Sequence, residues 1–398
     1  MPAEWTNHSQ TITVWPDFPS IEDADVLRKA RSEVSAISNA IARFEPVTMF
    51  TRPKNLYEAR QTVSQNVTVR PLNASELWVR DTGAIFVHGA SNGCFAGLKL
   101  GFNLWGSKFE KDPTDSDETV AEDLIRSMAT DHMDSKDKEW LAENSYTDDT
   151  TYQPVATEEV DYGTYWQRFR TNPSLDPGFI SEGGALEVDG DGTLIATESS
   201  IINSNRNPSM TKAELEEKFK KYLGVEKTIW LAGIRGYDTT DYHIDAFARF
   251  IEPPNGLQGW ERKTCSVLLS RPSKKADFKV IQAYEEAKEI LMNETDRRGR
   301  QLHVIEVQEP HAQDLAGEHW GGTVASYVNY YLVNGGLIMP RFGVEELDEE
   351  AFKLFRQCCA NREIVQVDLN TLPKLGGGIH CATQQVPEKP IYRGRGRV

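Results

Sequence analysis

The chain alternates between stretches in which apolar residues recur every three or four positions and short runs rich in β-branched residues. The first spacing is typical of helices that bury one face, and the second is typical of strands. The predicted helices cover residues 23–44, 211–224, 277–292 and 348–360. The predicted strands cover residues 47–50, 67–70, 85–87, 228–232, 243–251, 302–307, two segments within 324–340, and 363–368. Helices and strands that alternate from end to end predict an α/β fold.

Two of these segments carry clear boundary signals. In the helix at 211–224, Thr211 and Glu214 have the spacing of a capping box. The apolar stretch at 324–340 is interrupted by Asn329 and again by an Asn-Gly-Gly run. It therefore predicts two buried strands and no membrane span.

Composition indicates a folded chain, and its length allows two or three domains or one large α/β unit. The 398 residues are 39% apolar and 26% charged, which is enough apolar material for a sizeable core. No strict repeat and no long glycine-rich linker divides the chain. One break occurs at 110–161, where 17 acidic and 4 basic residues contribute −13 to the net charge of −16. We interpret this stretch as a solvated acidic insertion within one domain that spans residues 1–398.

Charge and cysteine content narrow the class of protein. A nucleic-acid partner is not expected because no extended basic surface is present. The basic tail at 390–398 is interpreted as a flexible, solvated terminus. Five cysteines, none in a Cys-x-x-Cys pair, argue against a disulfide scaffold or a cysteine-rich zinc site. The first ten residues do not resemble a signal peptide, so we expect a cytoplasmic protein without a membrane partner.

Two acidic residues stand beside glycines in positions that suit either structure or chemistry. Asp81 follows Arg80 just before a glycine turn, and an ion pair at a strand end would explain this pair without any function. Glu182 precedes two glycines, which permit a close approach of the backbone to another group. Glu182 is therefore interpreted as a buried partner of Arg80 or as a ligand contact.

His243 and Asp245 form the third candidate. On a strand at 243–251 their side chains would point to the same face, because side chains alternate along a strand. An imidazole and a carboxylate at that spacing suit proton transfer, and a polar strand start at the surface is the alternative. A zinc site would need further histidines, and the remaining ones lie in unrelated contexts.

The fourth candidate is Cys381, which follows three consecutive glycines and precedes a polar Ala-Thr-Gln-Gln segment. The glycines, ending at Gly378, allow unusual backbone angles and close contact with a ligand. A lone cysteine is most often a small buried residue, but this setting suits a nucleophile. The four candidates together predict an active site assembled from the ends of several strands.

The sequence resembles the agmatine deiminase family, a branch of the guanidine-modifying enzymes related to bacterial-type peptidylarginine deiminases. The matching segments run in family order over nearly the whole chain. They are WVRDTG (78–83), FNLWGSKF (102–109), EGGALEVDGDGTLIATESSIINSNRNP (182–208), KYLGVEKTIWL (221–231), TDYHID (240–245), ASYVNYYLVNGGLIMPRFG (325–343) and GGGIHCATQQVP (376–387).

The resemblance implies a fold and a set of site residues. The fold would be a five-bladed, pseudo-symmetric α/β propeller, the pentein fold, in a single domain. Cys381 would be the nucleophile, His243 the general acid and base, and Asp81 and Asp245 the carboxylates that hold the guanidinium. The substrate-binding residues would be Trp78, Arg80, Glu182, Asp238 and Gly378. Neither a metal nor an organic cofactor is expected.

The implied reaction is hydrolytic deimination of a small cationic guanidino substrate. Agmatine is the first expectation, with N-carbamoylputrescine and ammonia as products in putrescine and polyamine biosynthesis. Departures from the family pattern at Thr239 and Tyr242 lie where the far end of the substrate would be recognised. The alternatives are a deiminase of protein arginine or of another guanidino compound, a non-catalytic binder of cationic metabolites, and a zinc hydrolase. A homodimer is an assembly that the resemblance allows.

Overall fold

The structure is a computed structural model that describes residues 1–18, 23–89, 95–109, 117–130, 171–253, 265–315 and 322–388. Strands and helices alternate through these ranges. The strands are β1 (His8–Val14), β2 (Val47–Thr51), β3 (Val67–Pro71), β4 (Ile85–His88), β5 (Phe95–Leu98), β6 (Thr171–Leu175), β7 (Glu187–Val188), β8 (Thr193–Thr197), β9 (Lys227–Leu231), β10 (Ala248–Phe250), β11 (Cys265–Arg271), β12 (Leu302–Gln308), β13 (Tyr331–Val333), β14 (Gly336–Arg341), β15 (Glu363–Asp368) and β16 (Gln384–Pro387). The helices are α1 (Ala24–Ile41), α2 (Leu56–Thr62), α3 (Val79–Thr82), α4 (Leu104–Ser107), α5 (Val120–Thr130), α6 (Glu198–Ile201), α7 (Lys212–Leu223), α8 (Phe278–Asn293) and α9 (Glu345–Cys358).

The strands of the described ranges form five separate sheets with one recurring arrangement. In four of them, a first strand pairs antiparallel with a second, and the second pairs parallel with a third. A helix lies between the second and third strands in the sequence, as α7 does between β8 and β9. A parallel pair of strands requires such a crossover connection. The alternation of helices and strands along the sequence therefore corresponds to the parallel pairs in the sheets.

The fifth sheet joins the two ends of the described chain. It has the order β16-β1-β2-β3, and β16 pairs antiparallel with β1. The pair β1-β2 is parallel and is connected through α1, as in the other sheets. Segments close to both ends of the described chain thus contribute to one sheet, and Cys381 lies just before β16.

Most of the predicted elements are confirmed. The helix at 211–224 is α7, and its capping box between Thr211 and Glu214 is formed. The stretch at 324–340 contains two strands, β13 and β14. The predicted strand at 363–368 has the bounds of β15. Among the described residues, none of the helices combines the length and the apolar composition needed to cross a membrane.

The predicted strand at 243–251 is wrong over its first half. Only Ala248–Phe250 is a strand, and a 3-10 turn at Ile244–Ala246 precedes it. Asp241 and Tyr242 have φ angles of 61° and 74°, which belong to the left-handed region and interrupt an extended chain. His243 and Asp245 therefore come together through a turn and not through the alternation of a strand.

The acidic stretch at 110–161 is described only over residues 117–130. There α5 buries Val120, Ala121 and Leu124 in a cluster with Phe86. Asp117 is also buried, and it accepts hydrogen bonds from the Ser75 amide and hydroxyl. Residues 117–130 therefore pack one face against the fold, and the acidic insertion stays a prediction. The rest of the stretch and the tail at 390–398 lie outside the described residues.

Candidate active site

Short turns and helix ends bring the four candidate motifs to one place. Asp81 lies in α3, and Glu182 precedes a 3-10 turn at Gly183–Ala185. His243 and Asp245 flank the start of the turn at Ile244–Ala246, and Cys381 follows the glycine segment. All five side chains are buried. The motifs are distant in sequence, so the site exists only in the folded chain.

Gly184 marks the point on which three of these side chains converge. A Cβ atom at Gly184 would lie 2.7 Å from His243 Nδ1, 3.0 Å from Asp245 Oδ2 and 3.0 Å from Asp81 Oδ1. Such distances exclude any larger side chain at this position. The Gly184 amide also donates a hydrogen bond to Asp81 Oδ1 at 3.1 Å. Gly184 therefore allows an imidazole and two carboxylates to surround one small volume.

His243 is held among carboxylates but is not fully hydrogen-bonded. Its Nε2 lies 3.2 Å from Glu182 Oε2, and its Nδ1 lies 3.7 Å from Asp81 Oδ1. Within the described residues, Nδ1 has no hydrogen-bond partner. Burial lowers the pKa of His243, but Asp81, Glu182 and Asp245 outweigh that effect and raise the pKa to about 9. The ring is therefore protonated near neutral pH.

Glu182 is fixed by a buried arginine as well as by the imidazole of His243. Arg206 Nε lies 2.8 and 2.9 Å from the two oxygens of Glu182, and Arg206 Nη1 lies 2.7 Å from Asp241 Oδ2. Both Glu182 and Arg206 have fully buried side chains. The buried partner of Glu182 is thus Arg206 and not Arg80, which was one of the sequence-based alternatives.

Cys381 lies between an amide donor and a carboxylate. Asn329 Nδ2 donates to the sulfur at 3.2 Å, and Asp245 Oδ2 lies 3.4 Å from it. Burial raises the pKa of Cys381 well above its ordinary value, and Asp245 and Asp81 raise it further. Gly378 permits this packing, because a Cβ there would lie 2.5 Å from Asn329 Oδ1. In the absence of a bound cation, Cys381 is therefore a thiol.

The two aspartates differ in their neighbours. Burial raises the pKa of Asp81, and the carboxylates of Asp245 and Glu182 add to this increase against the opposing effect of His243. Burial raises the pKa of Asp245 too, but His380, His243 and Arg249 together outweigh that effect and lower it. Asp81 Oδ2 accepts a hydrogen bond from Trp105 Nε1 at 2.8 Å. A site with this excess of carboxylates favours the binding of a cation.

His380 connects the site to a buried ionic network. Its Nδ1 lies 2.8 Å from Asp245 Oδ2, and its Nε2 lies 2.8 Å from Glu4 Oε2. Glu4 also pairs with Arg249 at 2.9 Å and with Arg80 at 3.4 Å. These partners lower the pKa of Glu4 well below its ordinary range, although burial acts in the opposite direction. His380 thus fixes the orientation of Asp245, and the buried ion pairs of Glu4 in turn hold His380 in place.

Not all predicted substrate-binding residues face open space. The Arg80 guanidinium is buried and donates to Gln385 Oε1 at 2.7 Å and to the His380 carbonyl at 3.3 Å. Trp78 is buried too, with its ring against Gly377. Both lie beside the Cys381 segment, and their roles in substrate binding stay predictions.

A cavity of about 100 Å³ opens onto the cysteine. Its described lining includes Cys381, His243, Asp245 and Asp238 of the predicted site residues. Asp238 Oδ1 accepts hydrogen bonds from the amides of Thr240 and Tyr242, at 2.8 and 3.1 Å. These bonds stabilise the turn that precedes His243. The cavity provides room for a ligand directly beside the sulfur atom.

A possible cluster of metal ligands lies elsewhere among the described residues. Ligand atoms of Asp189, Cys265 and Asp296 lie within 4.8 Å of one another, and all three residues are buried. Asp189 Oδ1 is engaged by the amides of Asp191 and Thr193, at 2.8 and 2.9 Å. His243, on which the zinc alternative depended, is not a member of this cluster.

Several residues that form the site were not singled out in the sequence. Four of them lie within matched family segments, namely Trp105, Arg206, Asn329 and His380. The resemblance therefore pointed to these segments but assigned no role to these residues. Trp105 has a φ of 52° within a left-handed turn, a strained conformation that aims its indole at Asp81. No motif in the sequence singled out Glu4, because it is an isolated acid near the start of the chain.

Comparison with known proteins agrees with this fold. The model of the Porphyromonas-type peptidyl-arginine deiminase family matches residues 1–387. The agmatine deiminase of Stutzerimonas stutzeri is 32% identical over 403 residues, covering 97% of this chain and 95% of the relative. The agmatine deiminase of Pseudomonas fluorescens is 31% identical over 406 residues, with coverage of 97% and 95%. A solved agmatine deiminase of Enterococcus faecalis superposes with a TM-score of 0.77 at 25% identity, covering 98% and 96% of the two chains.

The class of protein follows from the fold and the buried cluster of a cysteine, a histidine and carboxylates. It is an α/β protein whose site is suited to a cationic, planar ligand. The chain belongs to the Porphyromonas-type peptidyl-arginine deiminase family, in agreement with the resemblance to agmatine deiminases noted in its motifs.

Proposed function

We propose that this protein hydrolyses the guanidino group of agmatine to N-carbamoylputrescine and ammonia, a reaction of polyamine biosynthesis. The names of its relatives support the reaction, since two of them at 31–32% identity over almost the whole chain are agmatine deiminases. The observation that carries the proposal is the contact of Cys381 Sγ with Asp245 at 3.4 Å, beside the convergence of Asp81 and His243 near Gly184.

Asp81 and Asp245 hold the guanidinium in this proposal. Two carboxylates on different sides of a planar cation accept hydrogen bonds from its nitrogens and fix its orientation. The cation also relieves the repulsion between the carboxylates, which contributes to the raised pKa of Asp81. Binding energy thus serves to place the central carbon of the substrate beside the sulfur.

The substrate itself promotes the ionisation of Cys381. Burial and the two aspartates raise the pKa of this thiol well above its ordinary value. A guanidinium between those aspartates would offset their negative charge, and protonated His243 adds a second positive charge nearby. The thiolate would therefore form in the complex and not in the empty enzyme.

The chemical steps conserve atoms and charge. The thiolate attacks the central guanidinium carbon and a C–S bond forms. The C–N bond to one terminal nitrogen then breaks, and ammonia departs with a proton from His243. Neutral His243 next takes a proton from water, which attacks the S-alkylthiouronium carbon. The C–S bond breaks, the thiolate leaves, the remaining hydroxyl proton passes to solvent and protonates the released ammonia, and the product carries a urea group.

A colorimetric assay for ureido products tests the reaction. Agmatine, free arginine and a peptide that ends in arginine are compared at equal concentrations, with and without the enzyme. We expect kcat/KM to be highest for agmatine. A higher value for the peptide would favour protein-arginine deimination, and binding of agmatine without turnover would favour a binder of cationic metabolites.

We also propose that the five sheets form the blades of a pseudo-symmetric propeller in one domain over residues 1–398. The recurring strand arrangement and the pairing of β16 with β1 support this architecture. An acidic insertion within 110–161 and a basic tail at 390–398 remain part of the proposal. The homodimer and the lack of a nucleic-acid partner stay predictions.

We propose a cytoplasmic location on the basis of the thiols. Cys358, Cys359 and Cys381 are free cysteines among the described residues. A nucleophilic thiol must stay reduced to act, and the reducing conditions of the cytoplasm preserve it. Fractionation of cells, followed by the ureido assay on each fraction, measures the location directly.

A further inference from the structure

Glu309 is a carboxyl group in the wall of the Cys381 cavity that the reaction steps do not use. It follows the last residue of β12, and the described lining of the cavity includes both Glu309 and Cys381. Ser270 Oγ donates a hydrogen bond to Glu309 Oε1, and Ser326 Oγ lies 3.0 Å from Ser270 Oγ. The carboxyl is therefore held by hydroxyl groups at a defined position in the cavity.

Glu309 is half-buried, and it differs from the buried acids of the nearby network because the described residues give it no positively charged partner. Glu4 pairs with Arg249, Glu182 pairs with Arg206, and Asp245 pairs with His380. No ion pair to Glu309 is formed within the described residues. Burial raises its pKa to about 7, and the two serine hydroxyls lower it only in part. A carboxylate without a counter-ion in a cavity is costly unless a ligand supplies the cation.

The neighbouring walls also suit a cation. Tyr237 and Tyr242 line the same cavity, with ring centroids 5.7 Å apart in an edge-to-face arrangement. Aromatic faces attract ammonium groups, most strongly where water is excluded. Asp238 adds a second carboxyl, and the described lining contains no lysine or arginine. This part of the cavity therefore disfavours a carboxylate and favours a positive charge.

We propose that Glu309 is a specificity-determining residue that binds a second cationic group of the substrate, an alkylammonium, while the guanidinium lies between Asp81 and Asp245. This inference rests on the proposed function, because it assigns a residue to the far end of the same substrate. The substrate class is then a guanidino-alkylamine. An amino acid or peptide, whose far end carries a carboxylate or a neutral amide, is selected against.

The test compares agmatine with pentylguanidine, in which a methyl group replaces the ammonium at the same chain length. In the wild-type protein we expect kcat/KM to be at least tenfold higher for agmatine. In Glu309→Gln we expect kcat/KM for agmatine to fall about 10- to 100-fold, chiefly through KM, because a hydrogen bond between charged groups is lost. In the same variant, kcat/KM for pentylguanidine should stay within about threefold of the wild-type value. Glu309→Asp should retain part of the preference for agmatine over pentylguanidine.

Controls separate recognition from folding and from chemistry. Glu286→Gln, an exposed acid on α8, is the matched variant and should leave both substrates unchanged. Pentylguanidine turnover and the circular-dichroism melting curve report whether Glu309→Gln is folded. If that variant is unfolded, Glu309→Met and Glu309→Asp are measured with the same substrate pair.

The outcomes are distinct for the two proposals. An agmatine preference that Glu309→Gln leaves intact overturns the role of Glu309 alone. An equal loss of kcat for both substrates in a folded variant would show a role in the chemistry instead. A higher kcat/KM for arginine than for agmatine in the wild-type protein would overturn both the proposed substrate and the role of Glu309. Absence of turnover with either guanidine in the wild-type protein would overturn the proposed function itself.

Discussion

Two buried histidines lie among carboxylates in this molecule, yet they differ in how completely they are hydrogen-bonded. Both ring nitrogens of His380 lie 2.8 Å from carboxylate oxygens, one on Asp245 and one on Glu4. In His243, Nε2 lies 3.2 Å from Glu182, whereas Nδ1 has no hydrogen-bond partner among the described residues. Both rings act on Asp245, and each of them lowers the pKa of its carboxyl.

The difference separates a positioning group from a group that can transfer protons. A ring with both nitrogens engaged is fixed, and moving its proton would break a buried ionic contact. A ring with one open nitrogen beside a cavity can deliver a proton to a leaving group and accept one from water. Similar local charge thus supports different roles, and the hydrogen bonds decide between them. The experiments below test that division, beginning with the largest expected effect.

Loss of the nucleophile should have the largest effect, because in the proposed mechanism Cys381 forms the covalent bond to the substrate. In Cys381→Ala we expect kcat to fall by at least about 10³-fold with an unchanged melting curve. Cys265→Ala, on β11, and Cys94→Ala, outside the described residues, should retain activity. Mass spectrometry after treatment with a haloacetamidine should locate the adduct on Cys381. Robust turnover by Cys381→Ala would contradict the mechanism.

Substitution of the two histidines is the direct comparison. In His243→Gln we expect kcat to fall about 10²- to 10⁴-fold, because the proton-transfer group is lost. In His380→Gln we expect a smaller loss of kcat and a decrease of about 1–3 kcal/mol in the free energy of unfolding, because one buried carboxylate loses its partner. Steady-state kinetics and denaturant unfolding measure the two effects. Equal losses of kcat in the two variants, with an unchanged free energy of unfolding, would contradict the different roles given to the two histidines.

The sequence singled out four of the side chains that the structure brings together, but not the reason that they meet. Asp81, His243, Asp245 and Cys381 were singled out from their motifs, and the structure brings them together. The expected strand that would align His243 with Asp245 is a turn instead. Left-handed angles depend on hydrogen bonds such as that from the Tyr242 amide to Asp238, and local spacing does not encode them.

The hydrogen-bond partners were harder to predict, because long-range packing selects them. Glu4 meets His380 near the other end of the described chain, and no periodicity in the sequence relates the two. Glu309 lies one residue beyond a correctly predicted strand, yet its position in the cavity depends on the packing of Ser270 and Ser326. The fold class was predictable from alternating patterns, whereas the division of roles between the histidines required the folded structure.

Removal of one negative charge beside His243 should have an intermediate effect. In Asp81→Asn the geometry is retained, but the guanidinium loses a charged hydrogen-bond partner. We expect a loss of about 1.5–3 kcal/mol, roughly 10- to 100-fold in kcat/KM. The exposed Asp314→Asn variant serves as the control. The pKa of His243 should also fall, because Asp81 is the largest of the groups that raise it, and an NMR titration of the ring measures this change.

The pH dependence should give the smallest effect, and its sign follows from the two raised pKa values. The reactive form has a thiolate at Cys381 and a protonated His243, so the pair must lose one proton. His243 has a pKa of about 9, and the pKa of Cys381 is well above its ordinary value. We expect kcat/KM for agmatine to rise up to about tenfold from pH 7 to 8 and to level off near pH 9. A value that falls between pH 7 and 9 would contradict this assignment.

The pairing of β16 with β1 has a consequence for how activity is acquired. His8 pairs with Pro387, so this sheet contributes contacts of very high sequence separation, which close late in folding. Cys381 precedes β16 directly, and Glu4 precedes β1. The nucleophile and its supporting network would therefore be among the last parts to reach their native arrangement. During refolding, secondary structure should return before alkylation of Cys381 becomes selective, and enzyme turnover should return last.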